Sequence, residues 1–403
     1  MADTPSPRLA SIDAYRGFVM FLMLAEVLHL GAMASIFPDS ELWMWLGWHQ
    51  SHVAWTGCTL HDLIQPSFTF LVGIALPFSL ASRLAKGQSF LRSALHALIR
   101  SGLLILLGVA LRSFGRPITN WTFEDTLTQI GLGYFFLFLL GYASQRVRWI
   151  VLAGILIGYW ALFALYPLPG PDFDYAAAGV QPDAEINSTG LAAHWNKNTN
   201  AAWAFDTWFL NLFTRTKEFT HNGGGYATLS FIPTLATMIF GLIAGTWLRD
   251  MKGEWSKVAR LAIVGVGLLA LGWGLGRLGI CPVVKKIWTP TWTIFSAGWC
   301  MILMALFHAL SDAIGYRGWS YPLRVIGANS IFAYCISHVL DSVVFSGERG
   351  APVVISAIQT HLGKDIFQFA GSEYAPLVTG AAVLLVYWLM LFWLYRQRIF
   401  IRL

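Results

Sequence analysis

Read for hydropathy, the chain is a succession of apolar runs of roughly 20 residues, the length of one bilayer-crossing helix, separated by short polar junctions. Runs near 16–36, 59–83, 95–113, 126–145, 148–167, 226–248, 257–276, 290–311, 323–344 and 374–396 predict an all-α polytopic membrane protein with about ten transmembrane helices. Phe18 to Leu24 followed by Ala32-Met33-Ala34 imitates a secretory leader, but Glu26 and His29 interrupt the apolar stretch, and it reads as a retained first span. The segment 351–366, APVVISAIQTHLGKDI, is too short and polar for a full crossing and predicts a re-entrant or interfacial piece.

Basic residues fall at alternate junctions. Arg83, Lys86 and Arg92 follow the second run, Arg146 and Arg148 the fourth, and Arg249, Lys252, Lys257 and Arg260 the sixth. Arg317 and Arg324 follow the eighth, and Arg396, Arg398 and Arg402 the last. Every even-numbered junction is basic, so the positive-inside rule puts both termini in the cytoplasm and the loop 168–225 outside. The chain reads as one transmembrane domain, 1–403, with that external loop between the fifth and sixth spans.

Composition agrees with the pattern. The 403 residues are 56% hydrophobic and 12% charged, where a soluble domain carries about 25% charged residues. The net charge of +6 lies in short clusters between apolar runs rather than on one face, which records membrane orientation and argues against nucleic acid as a partner. Cys58, Cys281, Cys300 and Cys335 form neither a CxxC pair nor a disulfide framework and read as small core residues. No internal repeat stands out, which weighs against an inverted-repeat transporter. The loop 168–225 mixes Trp with Asn, Asp and Pro, suiting either a sugar-binding vestibule or an interfacial aromatic belt.

Polar and titratable side chains beside apolar spans are costly unless paired or wet, and so mark functional candidates. His52, Trp55, His61 and Asp62 lie between the first two spans; Glu26 and His29 sit within the first, Gln129 in the fourth, and Asn329 and His338 in the ninth. Asp13 and Arg16 are three apart on one helical face, so a structural ion pair is the plain reading and a cytosolic anion site for Arg16 the sharper one. His52 in isolation reads as a histidine bonded to backbone or to Asp62. A zinc site from His49, His52 and His61 lacks an accompanying ligand-plus-base pattern, so no metal is expected. No GxSxG elbow supports a serine hydrolase.

Five stretches carry a resemblance: RLASIDAYRGFVMFLML at 8–24, HVAWTGCTLHDLIQPSFTFLVG at 52–73, LTQIGLGY at 127–134, VVKKIWTPTW at 283–292 and IGANSIFAY at 326–334. In this order they resemble the heparan-α-glucosaminide N-acetyltransferase family of transmembrane acyltransferases, in its bacterial form without the extra N-terminal domain and first span. The blocks H-x-x-W-x-G-x-x-x-x-D-L and K-x-(I/L)-W-(T/S) are specific in combination; the RG and N-S pieces are weak alone. The chain departs from the family pattern at Glu26-Val27-Leu28-His29, where relatives carry Asn, and at His221-Asn222-Gly223-Gly224-Gly225, where they often carry an acidic D-P-E-G run.

The resemblance implies transfer of the acetyl group of cytosolic acetyl-coenzyme A to a glucosamine-type amine on the outer side, in a bacterial inner membrane. His52 falls on the family's catalytic histidine, Asp62, Trp55 and Gly57 on the same block, Lys286 and Trp288 on the second, and Asn329 on the last. Chemistry assigns His52 as a general base or an acetyl carrier, with direct transfer favoured, Asp62 as its orienting carboxylate, and Asn329 or Lys286 as oxyanion donors. Arg16, Arg83 and Lys86 are the candidates for the coenzyme's phosphates, with Trp55, Lys286 and Trp288 alongside. Glu26, His29, His221 and Asn222 line the presumed acceptor side. Membrane lipid is the surrounding partner, and a homodimer is left open. Two rival readings are an amino-sugar transporter and an O-acetyltransferase acting on a cell-surface glycan.

Overall fold

The computed structural model describes residues 9–181, 184, 186–340, 353–363 and 365–401. They form fifteen α-helices and no strand among the described residues, in two compact units. Of the described residues, one unit holds those within 53–58 and 65–309, and the other those within 9–52, 59–64 and 310–401.

The first unit contains α4 (Ile64–Ala85), α5 (Phe90–Ser113), α6 (Thr126–Gly141), α7 (Gln145–Ala164), α8 (Ala201–Phe209), α9 (Phe231–Asp250), α10 (Glu254–Arg277) and α11 (Pro290–His308). Side-chain N-caps set the starts: Ser89 for α5, Asp125 for α6, Ser144 for α7 and Thr289 for α11 each accept a first-turn N–H. Of the apolar stretch 228–250, 83% is buried, against 17% for 254–277, so α9 is the central helix and α10 turns most of its surface outward. The close approach of α4 to α9 requires glycine. A Cβ on Gly241 would run into the carbonyl of Phe70, and one on Gly73 into that of Met238. Gly241 and Gly245 give the small-xxx-small spacing that lets helices approach in lipid.

Part of the loop 168–225 folds into a packed layer, while Trp208 stays exposed. Trp195, Ala201 and Ala202 pack with Tyr159 and Phe163 of α7 and with Trp55, Cys281, Val284 and Ile287. Trp195 is fully buried and stacks parallel to Phe163 with centroids 6.3 Å apart. Burial pushes the Cys281 thiol up to about 11, consistent with a packing role.

The second unit contains α1 (Ala10–Leu24), α2 (Leu30–Ile36), α3 (Glu41–His49), α12 (Tyr321–Ala328), α13 (Ser330–Leu340), α14 (Val353–Leu362) and α15 (Ala375–Arg396). Asp312 caps α1, its carboxylate accepting the N–H groups of Ala10 and Ser11 at 3.3 and 3.1 Å. Helices α1 and α12 cross at Gly17 and Gly327, where a side chain on either would meet the other's backbone.

The expected run of ten spans is altered in three places. Seven helices among the described residues are long and apolar enough to cross a membrane, eight if a bent first span is counted. That first span, expected over 16–36, starts at Ala10 and bends by 42° at His29, whose φ of 49° ends one helix and begins the next. Gln50 bridges the break, its amide donating to Ala25 and accepting from Leu30, each at 2.6 Å. The fourth run is helical only over Thr126–Gly141, because Arg148 draws the chain into a tight turn by donating to the carbonyls of Leu140 and Gly141. The ninth run is split at Asn329 into the short helices α12 and α13, and its end beyond 340 lies outside the described residues. Within 351–366, a ten-residue helix, Val353–Leu362, is too short to cross. Arg402 also lies outside the described residues.

Candidate active site

The chemistry gathers where the chain leaves α3 and enters α4. Thr59 and Asp62 form a reciprocal capping pair at the start of that span: the Thr59 N–H donates to Asp62 Oδ2 at 3.1 Å, and the Asp62 N–H donates to Thr59 Oγ1 at 3.3 Å. The Thr59 hydroxyl also lies 2.6 Å from the carbonyl of Ser51, which fixes the backbone just before His52. Asp62 is buried and its carboxylate is therefore held in one orientation. Its other oxygen, Oδ1, lies 2.7 Å from His52 Nδ1. The His52 side chain is 40% exposed, so one ring edge is clamped while the ring stays accessible.

A second imidazole completes the cluster. His61 packs on His52 with ring centroids 4.5 Å apart, and its Nε2 lies 3.2 Å from Oε1 of Glu26. His49 accepts the Leu60 N–H through Nδ1 at 3.2 Å, and burial lowers its pKa. The three histidines are thus turned to different partners, and no group of three metal-ligating side chains occurs among the described residues. With the Asp62 carboxylate as acceptor, the 2.7 Å bond fits the His52 tautomer that carries its proton on Nδ1.

Trp55, Lys286 and Trp288 lie in the other unit. The chain at 56–57 pairs with 283–284, through a bridge from Thr56 to Val284 and a 3.0 Å bond from the Gly57 N–H to the Val283 carbonyl. Trp55 is buried and donates to the Trp195 carbonyl; Trp288 is buried, has a φ of 48° and donates to Thr237 Oγ1 at 3.1 Å. Lys286 Nζ donates to the Ala54 carbonyl at 2.8 Å and sits over the Tyr226 ring. Both tryptophans act as supports of this junction, and Lys286 ties it to the residue two places after His52.

The remaining candidates are placed less centrally. Arg16 is 3.4 Å from Asp13, the ion pair that the helical spacing predicts. Arg83 lies 3.2 Å from His96 Nδ1, and Lys86 is exposed in the turn after α4. His29 is exposed at the break in span one. His221 Nδ1 lies 2.9 Å from the Ala177 carbonyl, and Asn222 Oδ1 accepts from the N–H groups of Gly224 and Tyr226, shaping a glycine turn. Asn329 is fully buried, and its amide donates to the Ile399 carbonyl and accepts from the Ile401 N–H, each at 2.9 Å. It fastens the end of the chain to the break between α12 and α13.

Thr59 is the member of this cluster that the motifs left out. Its signal was present, since T-x-x-D before an apolar run is a capping pattern.

No family model matches the chain. It is 24% identical over 383 residues to the heparan-alpha-glucosaminide N-acetyltransferase of Homo sapiens, covering 83% of this chain and 53% of that protein. The Mus musculus protein of the same name is 22% identical over 376 residues, with 83% and 54% covered. The chain spans about half the length of these relatives. The resemblance to these two proteins reaches across most of this chain's length.

Proposed function

We propose that this protein is a transmembrane N-acetyltransferase of a bacterial inner membrane, moving the acetyl group of cytosolic acetyl-coenzyme A to the amine of a glucosamine-type sugar on the periplasmic side. The observation that carries the reading is the clamped His52–Asp62 pair with its accessible ring. The thioester supplies an activated acyl carbon. His52 Nε2 takes the proton that the amine loses as its nitrogen bonds to that carbon and the carbon–sulfur bond breaks; the proton then passes to the departing thiolate. Asp62 holds the tautomer and compensates the imidazolium that forms. Lys286 supports the backbone beside the histidine, and Asn329, both of whose amide ends are engaged, is assigned to architecture rather than to the oxyanion. His61 and Glu26 present the acceptor side of the pair, with His29 near them in sequence.

Arg83 and Lys86 meet the coenzyme's phosphates in this reading, at the end of the helices where basic residues collect. The deciding experiment is transfer of labelled acetyl from acetyl-coenzyme A to glucosamine by the purified chain, beside His52→Ala. Transfer lost in a variant that still binds the coenzyme supports the enzyme. Absence of both binding and transfer in the unmodified protein discards it in favour of an amino-sugar transporter, and binding with transfer only to a hydroxyl acceptor favours the O-acetyl reading.

A further inference from the structure

A cavity of about 180 Å³ lies at the basic end of the unit built from residues 65–309, and none of its walls takes part in the chemistry above. Pro77, Leu80 and Leu84 of α4 and Tyr142 after α6 supply an apolar surface, and Arg148 and Arg249 supply charge. Arg148 is only 9% exposed. Its Nε donates to the Leu140 carbonyl at 3.0 Å, Nη2 to the Gly141 carbonyl at 2.9 Å, and Nη1 to Thr246 Oγ1 at 3.0 Å. A guanidinium has five N–H groups, so two remain beyond these three bonds.

The two arginines differ in their counter-charge. Arg249 has Asp250, which accepts from Nε and Nη2, and its Nη1 donates to the Pro77 carbonyl at 3.0 Å. Arg148 has no carboxylate in ion-pair range among the described residues; its partners are two carbonyls and a hydroxyl. A buried charge without an opposite one is expensive, and the carbonyl end of α6 offers only about half a charge against it. Leu84 is 59% and Tyr142 39% exposed, so the mouth of the cavity is bordered by bare apolar side chains of the kind that face lipid tails. Arg83 and Lys86 fall at the end of α4, Arg146 at the start of α7 and Lys252 just after α9, three helices that line the cavity, as suits a membrane surface rich in anionic headgroups.

We propose that this cavity binds the phosphate of an anionic phospholipid, with the spare Nη hydrogens of Arg148 donating to the phosphate oxygens and an acyl chain lying along Leu80 and Leu84. The charge that no carboxylate in ion-pair range offsets, with Asp250 acting only from further away, is then matched by a group with both an anionic head and an apolar tail, which is what the wall chemistry fits.

The test is thermal unfolding of the full chain in detergent with added dioleoylphosphatidylglycerol, dioleoylphosphatidylcholine or coenzyme A, with lipid adducts counted by native mass spectrometry. Phosphatidylglycerol should raise the unfolding temperature and stay bound, and phosphatidylcholine should do neither. Ala81 is an exposed wall residue, so Ala81→Trp fills the cavity from outside without touching the arginines. It should unfold like the parent without lipid and lose the phosphatidylglycerol increment. Arg148→Met should weaken apparent phosphatidylglycerol affinity by about tenfold or more, the size of one lost charge-assisted contact. Where Arg148→Met fails to fold, Ala81→Trp carries the test. Equal increments from the two lipids, or a phosphatidylglycerol increment that survives Ala81→Trp, would overturn the proposal. So would a coenzyme A increment abolished by Ala81→Trp with none from phosphatidylglycerol, which would give the cavity to the acetyl donor.

Discussion

Nδ1 of His52 lies 2.7 Å from Oδ1 of Asp62, while the other oxygen of that carboxylate is held by the backbone N–H of Thr59. The carboxylate therefore does two jobs, capping the start of α4 and holding the His52 imidazole. Asp62→Asn keeps the size but loses the charge, and should lower turnover by about 10²- to 10⁴-fold while coenzyme binding persists. Thr59→Ala removes the hydroxyl and should leave a smaller loss, because the Thr59 N–H still reaches Oδ2. Labelled-acetyl turnover measured beside coenzyme binding checks both. Equal turnover by Asp62→Asn and the parent would remove Asp62 from the reaction.

Asp206 gives a pH dependence of stability. It is 2% exposed, Oδ2 accepts the Thr228 N–H at 2.9 Å, and burial pushes its pKa up from the usual carboxylate range to about 7. Folded protein then binds a proton that the unfolded chain has released between about pH 4 and 7. The contribution is full below the unfolded value and is lost as pH rises through about 7. Asp206→Asn mimics the protonated form, so the excess of its unfolding temperature over the parent's should be smallest near pH 4 and grow to a plateau above about pH 7. A constant offset between the two across that range would contradict this.

Much of the architecture is written in hydropathy and charge, since long apolar runs have few ways to satisfy their backbone in lipid. What escaped that reading is where a run stops being one helix. His29 and Asn329 both interrupt apolar sequence, and the partners that stabilise the two breaks, Gln50 for one and the backbone of Ile399 and Ile401 for the other, are 21 and more than 60 positions away. The same distance in sequence hid the fate of Trp195, which reads as an interfacial aromatic and is instead the centre of a packed layer over α7. The His52–Asp62 pair was legible because both residues sit in one short block; the His61–Glu26 pairing was not, because it crosses from one span to the next.

Close packing of α4 on α9 should be far more sensitive than the helix surfaces. Gly241→Ala places a methyl group against the Phe70 backbone and should cost about 1–3 kcal/mol, since a carbonyl must move to admit it. Gly267 on α10 faces open space, and Gly267→Ala should be neutral or stabilising by up to about 1 kcal/mol. Unfolding temperatures in detergent separate the two. A similar effect from both would mean that the α4–α9 contact is looser than its geometry.

The Glu26–His61 pair should contribute little to folding. Glu26 is 55% exposed, and pairs so open to solvent are worth about 0–1 kcal/mol. Glu26→Gln should thus leave the unfolding temperature within a degree or two of the parent, by the same small energy. Its effect should appear in the acceptor's KM, because His61 backs the accessible ring of His52. A change in kcat at unchanged KM would place Glu26 in the proton path instead.

Asn329 separates architecture from chemistry most sharply. A catalytic oxyanion donor would lose turnover on replacement without losing stability. The observed bonds, one given to Ile399 and one taken from Ile401, predict the reverse. Asn329→Ala removes the partner of the Ile399 carbonyl and of the Ile401 N–H, both on exposed residues that water can reach, and should cost about 1–3 kcal/mol, at 0.5–1.5 for each bond. Asn329→Asp keeps the acceptor for the Ile401 N–H but loses the donor, and should fall between. If stability falls while acetyl transfer, at a temperature where all three proteins are folded, stays near the parent's, Asn329 is a tie between Ile399–Ile401 and the broken helix. A folded, stable Asn329→Ala without turnover would return it to the reacting groups, and His52 would then act with a partner that the hydrogen bonds of Asn329 do not reveal.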